Sequence, residues 1–149
     1  MHSFAFRLAL VPPLLSLLSI MSACAADPKV PSPSSSSPSY TITLALGNKI
    51  VISAEALTVE LLSVKDSRCP SGAQCVWAGH ATATVQVGKV GSTPETLVIG
   101  TRAPPSMKLP FEATYGSYRL TLLGLEPANS VSAPVALPLY RATVQIAQP

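Results

Sequence analysis

Charge is scarce in this sequence: Asp, Glu, Lys and Arg make up 11% of its 149 residues, against roughly 25% in an ordinary soluble domain. The basic residues are scattered along the chain, and the formal net charge is +3. A nucleic-acid interface needs clustered Lys and Arg, so that class is excluded. Histidine is scarcer still. There are two, His2 and His80, and His2 falls in a segment assigned below to removal, so a Ser-His-Asp arrangement would have to use His80. No G-x-S-x-G, H-E-x-x-H or Gly-rich phosphate loop occurs, and Glu55, Glu60, Glu95, Glu112 and Glu126 form no cluster in sequence. The inventory argues against an enzyme, and no cofactor is expected. No window carries a clear 3.6-residue apolar period, which argues against a helical domain.

The longest apolar run is N-terminal. Arg7 precedes thirteen uncharged, mostly apolar residues, 8–20, and a run of small residues follows. This is the pattern of a signal peptide, expected over residues 1–23. Met21-Ser22-Ala23-Cys24 reads as a lipobox with Cys24 as the lipidated residue, while Ala23-Cys24-Ala25 also reads as an A-x-A site for ordinary cleavage. An uncleaved anchor is the third reading, since residues 8–26 are uncharged for nineteen positions, near the lower limit for spanning a bilayer. Its serines and Pro12-Pro13 count against it. Without Arg7 the mature chain has nine basic and seven acidic residues.

Proline is abundant, at 15 residues. Residues 27–39, DPKVPSPSSSSPS, hold four prolines, six serines and almost nothing to bury. Residues 24–39 are therefore expected to be the anchor site and a Pro/Ser linker, able to extend at about 3.1 Å per residue. From residue 40 to 149 the prolines punctuate, because a strand interior must donate its N–H groups. Pro-free windows alternate with period two at residues 40–46, 49–53 and 57–61, with Gly47-Asn48 as a hairpin-type pair between the first two. A helical turn over Ala54-Glu55-Ala56-Leu57 is the alternative opening of the third. In residues 77–87, Trp77, Gly79, Ala81, Ala83, Val85 and Val87 share one face, and His80, Thr82, Thr84 and Gln86 the other. Further strands are expected at residues 96–100, 118–122 and 140–146, the last with Tyr140, Ala142, Val144 and Ile146 inward. The expected fold is all-β, a single antiparallel β-sandwich or small β-barrel of about seven to eight strands.

Three cysteines occur, and either form of processing removes Cys24 as a free thiol. Cys69 and Cys75 remain, in DSRCPSGAQCVWAG from residues 66–79. Zinc would need Cys69, Cys75, His80 and Asp66 together, but C-x5-C is no familiar zinc spacing and His80 sits on the polar face, so no metal is expected. A redox pair wants C-x-x-C near a βαβ unit, and both are absent. A disulfide fits: an even count in an exported chain favours pairing, and Pro70 and Gly72 let the loop double back. Closing it contributes about 2 kcal/mol in the chain-entropy model. Trp77 would then seal the end of the core over Gly79 and Ala81, or else stand exposed as a stacking residue. Asp66, Arg68 and Trp77 make this turn the candidate recognition loop. In the bland alternative, Arg68 pairs with Asp66 and the turn only closes the sheet. The Pro-bearing loops 101–110 and 127–138 are further candidates.

The stretch Asp66, Ser67, Arg68, Cys69, Pro70, Cys75, Trp77, Gly79 and Ala81 resembles the D-S-R-C-P-x4-C-x-W-x-G-x-A motif of a family of small bacterial envelope proteins, often lipoproteins, that carries no assigned activity. LTVELLSVK upstream and GSYRLTLLGLEP at residues 116–127 resemble strands of the same proteins. The resemblance covers about half the mature chain. It implies an exported bacterial β-domain and supplies no substrate or site; with the lipobox reading, the expected location is the periplasmic side of the envelope, anchored to a membrane through lipidated Cys24, or otherwise soluble there or secreted. The expected class is a non-enzymatic module for an envelope protein or glycan, with an inhibitor of lysozyme or protease as the alternative. Mass spectrometry of the mature N-terminus tests the anchor. Acylated Cys24 is the expected result, with more than one acyl chain for stable attachment; a chain starting at Ala26 removes the anchor and keeps export, and an intact Met1 removes both.

Overall fold

Strands that are apolar on one face must bury that face against a second layer, and the chain does so with two sheets. The computed structural model describes residues 37–148; the signal segment, Cys24 and nearly all of the linker lie outside the described residues. Among the described residues eight strands run in the order β1 Ser39–Ala45, β2 Lys49–Ile52, β3 Leu57–Asp66, β4 Ala81–Lys89, β5 Glu95–Gly100, β6 Glu112–Tyr115, β7 Tyr118–Glu126 and β8 Arg141–Ala147. They form two four-stranded sheets, β1-β8-β7-β6 and β2-β3-β4-β5, and every strand pairing is antiparallel. The fold is a β-sandwich. Its core is a single apolar cluster in which Leu44, Leu57, Val59, Leu61, Val85, Ile99, Leu120, Val144 and Ile146 are fully buried.

The leucine doublets Leu61-Leu62 and Leu122-Leu123 mark one device used twice. In β3 the inward residues are Leu57, Val59 and Leu61, after which a bulge shifts the register so that Val64 is the next inward residue. In β7 they are Tyr118, Leu120 and Leu122, then Leu125 after a bulge between Leu122 and Gly124. An extra residue in a period-two strand moves everything beyond it to the other face. The second leucine of each doublet is consequently left outside, Leu62 at 40% and Leu123 at 54% exposure.

Three features differ from the pattern read in sequence. Gly47-Asn48 does form a turn, with Gly47 at φ 71°, but it does not close a hairpin. β1 pairs with β8 along seven residues, and β2 pairs with β3. The turn passes the chain between sheets, its Gly47 N–H donating to the Leu61 carbonyl at 2.8 Å. Turn residues specify a reversal of direction, not which edge the returning strand will join. Second, β4 begins at Ala81 rather than residue 77. Gly79 at φ 77° ends the alternation, and Trp77 stands 41% exposed; His80 keeps to the face of Thr82 and Gly100 but is only 6% exposed, because Pro110 and the connection after β5 cover it. Neither the exposed-histidine reading nor the core-tryptophan reading holds. Third, Glu112–Tyr115 is a strand that the sequence reading passed over; it pairs with β7 across a two-residue turn. The expected helical turn is present as a 3-10 turn over Ser53–Glu55, ended by Ala56 at φ 50°.

The bulge in β7 makes adjacent leucines unequal. Leu122→Ala is expected to lower unfolding free energy by about 2–4 kcal/mol through the cavity it leaves, whereas Leu123→Ala changes it by about 0.5 kcal/mol or less. Denaturant unfolding of the two variants checks the contrast.

Candidate functional site at the disulfide-closed end

β3 ends on Asp66 and β4 starts on Ala81, which are paired across the sheet. The loop between them continues the hairpin. The Ser67 N–H and Oγ both donate to the His80 carbonyl, at 2.9 and 2.6 Å, and the Cys69 N–H donates to the Ala78 carbonyl at 2.8 Å. Gly79 is required where these segments cross: a β-carbon there would overlap the Ser67 carbonyl oxygen and come within 2.6 Å of the Arg68 Cα. Beyond the crossing, Cys69 and Cys75 form a disulfide with their Cα atoms 6.0 Å apart. The tip carries Val76, fully exposed, beside the partly exposed Trp77.

Under the loop lies a buried carboxylate. The Asp66 side chain is 2% exposed and accepts five hydrogen bonds. Oδ1 takes them from the Arg68 amide at 3.0 Å and Nε at 2.8 Å; Oδ2 takes them from Arg68 Nη2 at 2.7 Å, Asn129 Nδ2 at 3.2 Å and the Tyr140 hydroxyl at 3.0 Å. Arg68 uses its remaining donors on the other sheet, Nη1 to the Leu125 carbonyl at 2.8 Å and Nη2 to the Pro127 carbonyl at 3.4 Å. The loop after β7 is laced to the disulfide loop as well, the Ser71 N–H donating to the Asn129 carbonyl and the Val131 N–H to the Ser71 carbonyl. Asp66 and Arg68 therefore tie the β3–β4 hairpin of one sheet to the β7–β8 connection of the other.

Burial pushes the Asp66 carboxyl upward, but hydrogen bonds from the Arg68 side chain and amide and from Tyr140 outweigh it and hold the group below its usual range. The hydrogen bond to Asp66 raises Arg68. Burial, then the hydrogen bond to Asp66, raises Tyr140. A second carboxylate works at the start of β3, about 30 Å away by strand rise. Glu55 accepts from the hydroxyls of Tyr118 at 2.6 Å and Tyr40 at 3.0 Å and from Gln148 Nε2 at 3.2 Å. The hydrogen bonds from Tyr118 and then Tyr40 lower Glu55, and the one from Tyr40 raises that tyrosine in turn.

The structure thus brings Asp66 and Arg68 together and places Trp77 outward, apart from their network. It adds Asn129 and Tyr140, which the sequence reading did not assign to the site. The signal was present: Tyr140 opens a strand straight after a Pro-bearing loop in a chain with four tyrosines, and a buried tyrosine hydroxyl needs a partner. His80 donates from Nε2 to the Pro110 carbonyl at 2.9 Å. Among the described residues no three His, Cys, Asp or Glu side chains gather to hold a metal ion. Compared with protein-family models, with curated proteins and with solved structures, the chain matches none.

Arg68→Ala leaves the Asp66 carboxylate buried with fewer donors and is expected to lower unfolding free energy by about 3 kcal/mol; Arg68→Lys, which keeps the charge and lacks the planar fork, restores part of it. The pH dependence has a definite sign. Asp66 and Glu55 titrate lower in the folded state, so their contribution is complete above the unfolded value near 4 and is lost as pH falls through the folded values. Tyr140 and Tyr40 titrate higher when folded, so theirs is complete below about 10 and is lost as pH rises through the folded values. Urea unfolding as a function of pH is expected to show a plateau that falls on both sides.

Proposed function

We propose that this chain is an exported bacterial lipoprotein, held at the periplasmic side of a membrane through acylated Cys24, whose β-sandwich is a non-enzymatic binding module for an envelope protein or glycan. The lipobox-like Met21-Ser22-Ala23-Cys24, the Pro/Ser spacer and the resemblance of the Asp66–Ala81 motif to small envelope proteins support the compartment, and the disulfide fits an oxidising one. The His80 ring, buried and engaged with the Pro110 carbonyl, and Asp66, saturated by five donors, support a non-catalytic reading.

One observation carries the binding reading: the loop braced by the disulfide and by the Asp66–Arg68 pair is also the loop that presents Val76 and Trp77 to solvent. A partner that docks on a pre-ordered loop loses little conformational entropy, and tryptophan is a frequent anchor of interfaces. In this reading Asp66 and Arg68 shape the loop, and Trp77 makes the contact. A braced, protruding loop also suits an inhibitor that plugs the active site of a lysozyme or protease.

Cross-linking of the tagged full-length protein in a bacterial envelope, followed by mass spectrometry of the captured material, distinguishes these readings. Capture of an envelope protein or glycan that Trp77→Ala abolishes at unchanged thermal stability is expected. Capture of one hydrolase, with loss of its activity, selects the inhibitor. Capture indifferent to Trp77→Ala removes the loop from the contact.

A further inference from the structure

The connection from β5 to β6, residues 101–111, reads TRAPPSMKLPF and carries two cations and no acid. It crosses from one sheet to the other and is pinned at its base. The Gly100 N–H donates to the Phe111 carbonyl at 3.1 Å, and Gly100 admits no side chain, because a β-carbon would overlap the Pro110 carbonyl and lie 2.7 Å from the His80 ring. On this base the Arg102 guanidinium lies over the Phe111 ring, 4.4 Å from its centroid. Arg102 makes no hydrogen bond and no ion pair to another described residue, which sets it apart from Arg68, Arg119 and Arg141.

Two depressions meet at this pair. One, of about 260 Å³, is lined by Thr101, Arg102, Phe111, Thr121, Leu122 and Leu123. The other, of about 210 Å³, is lined by Arg102 and Phe111 again, with Pro104, Pro105, Lys108 and Leu109 among the rest. The guanidinium therefore stands between two largely apolar grooves, with Lys108 in the second and no carboxylate lining either.

We propose that this double groove binds an acidic peptide segment, one whose carboxylate meets the Arg102 fork and whose flanking apolar side chains fill the depressions on either side. Three features select a peptide over a sugar. The exposed face of Phe111, on which a sugar would stack, is already covered by the guanidinium. The lining offers few hydroxyls, and Thr101 Oγ1 already accepts from the Ala81 N–H at 3.0 Å. The floor is apolar, built from leucine and proline. The stacking holds the planar fork in place with donors free for bidentate contact with a carboxylate. Prolines 104, 105 and 110 remove backbone donors, so side chains do the reading. The site is independent of the Trp77 loop, and the two stand or fall separately.

Fluorescence polarisation of the full-length protein in detergent tests this, with a labelled capped peptide Leu-Val-Glu-Leu-Val as probe and Leu-Val-Gln-Leu-Val as its neutral counterpart. Saturable binding is expected for the Glu peptide, weakened about tenfold by Arg102→Ala and by the Glu-to-Gln change in the peptide, and weakened by added salt. Arg102→Lys keeps the charge and loses the fork, and its affinity is expected between those of the parent and Arg102→Ala. Arg102 is exposed and unpaired, so unchanged thermal stability of the variants verifies that they fold. No saturable binding, equal affinity for the two peptides, or binding unaltered by Arg102→Ala overturns the proposal. Competition by inorganic phosphate or polygalacturonate with equal or greater affinity also overturns it, in favour of a general anion or glycan site.

Discussion

The Asp66 carboxylate is the interaction on which the disulfide-closed end depends. A carboxylate out of contact with water is tolerable only when nearly all its acceptor capacity is filled, and five donors from three separate segments fill it here. Arg68 comes from its own loop, Asn129 from the β7–β8 connection and Tyr140 from the residue before β8. Each would be misplaced if either sheet shifted. The requirement to satisfy one charge thus sets the relation of a hairpin in one sheet to a connection in the other, where backbone pairing between the main strands of the sheets is not available to do so.

Glu55, which is more open to solvent, bridges the sheets near the far end of β3, accepting from two tyrosines and Gln148. Between the two carboxylates the buried cluster is apolar. A chain with 11% charged residues places one carboxylate at each end of its longest strand, so both contribute to holding the layers in register. Arg102 stands out by contrast among the described arginines. Its neighbours stack against it without satisfying its donors, which is the arrangement of a group that waits for an acceptor from outside.

The braced loop and the groove beside Arg102 share a construction. In each, a glycine permits an approach that any other residue would block, Gly79 against Ser67 and Arg68, Gly100 against Pro110 and His80. Gly79 lies two residues before β4 and Gly100 ends its partner β5, and in each case the adjoining loop carries exposed side chains. Rigid strands with ordered loops at their ends are the usual division of labour in β-sandwiches.

Much of this was legible in the sequence. Period-two alternation located seven of the strands and the inward face of β8, residue by residue, because alternation is a local consequence of the pleat. The parity of the cysteines, with turn residues between them, points to the Cys69–Cys75 bond, and the pairing of Arg68 with Asp66 is one of the two readings their loop offers. What stayed illegible depends on contacts between distant segments. Whether β1 joins β2 or β8 is decided by which edge offers seven residues in register. His80 is buried because the connection after β5 folds over it, and Leu62 and Leu123 turn outward because bulges shift the phase. Two of the five donors around Asp66 come from residues 63 and 74 positions away. Pattern in a sequence reports the path of the chain over a few residues; only packing one sheet on the other decides which buried charge meets which hydroxyl, and which cation is left for a partner.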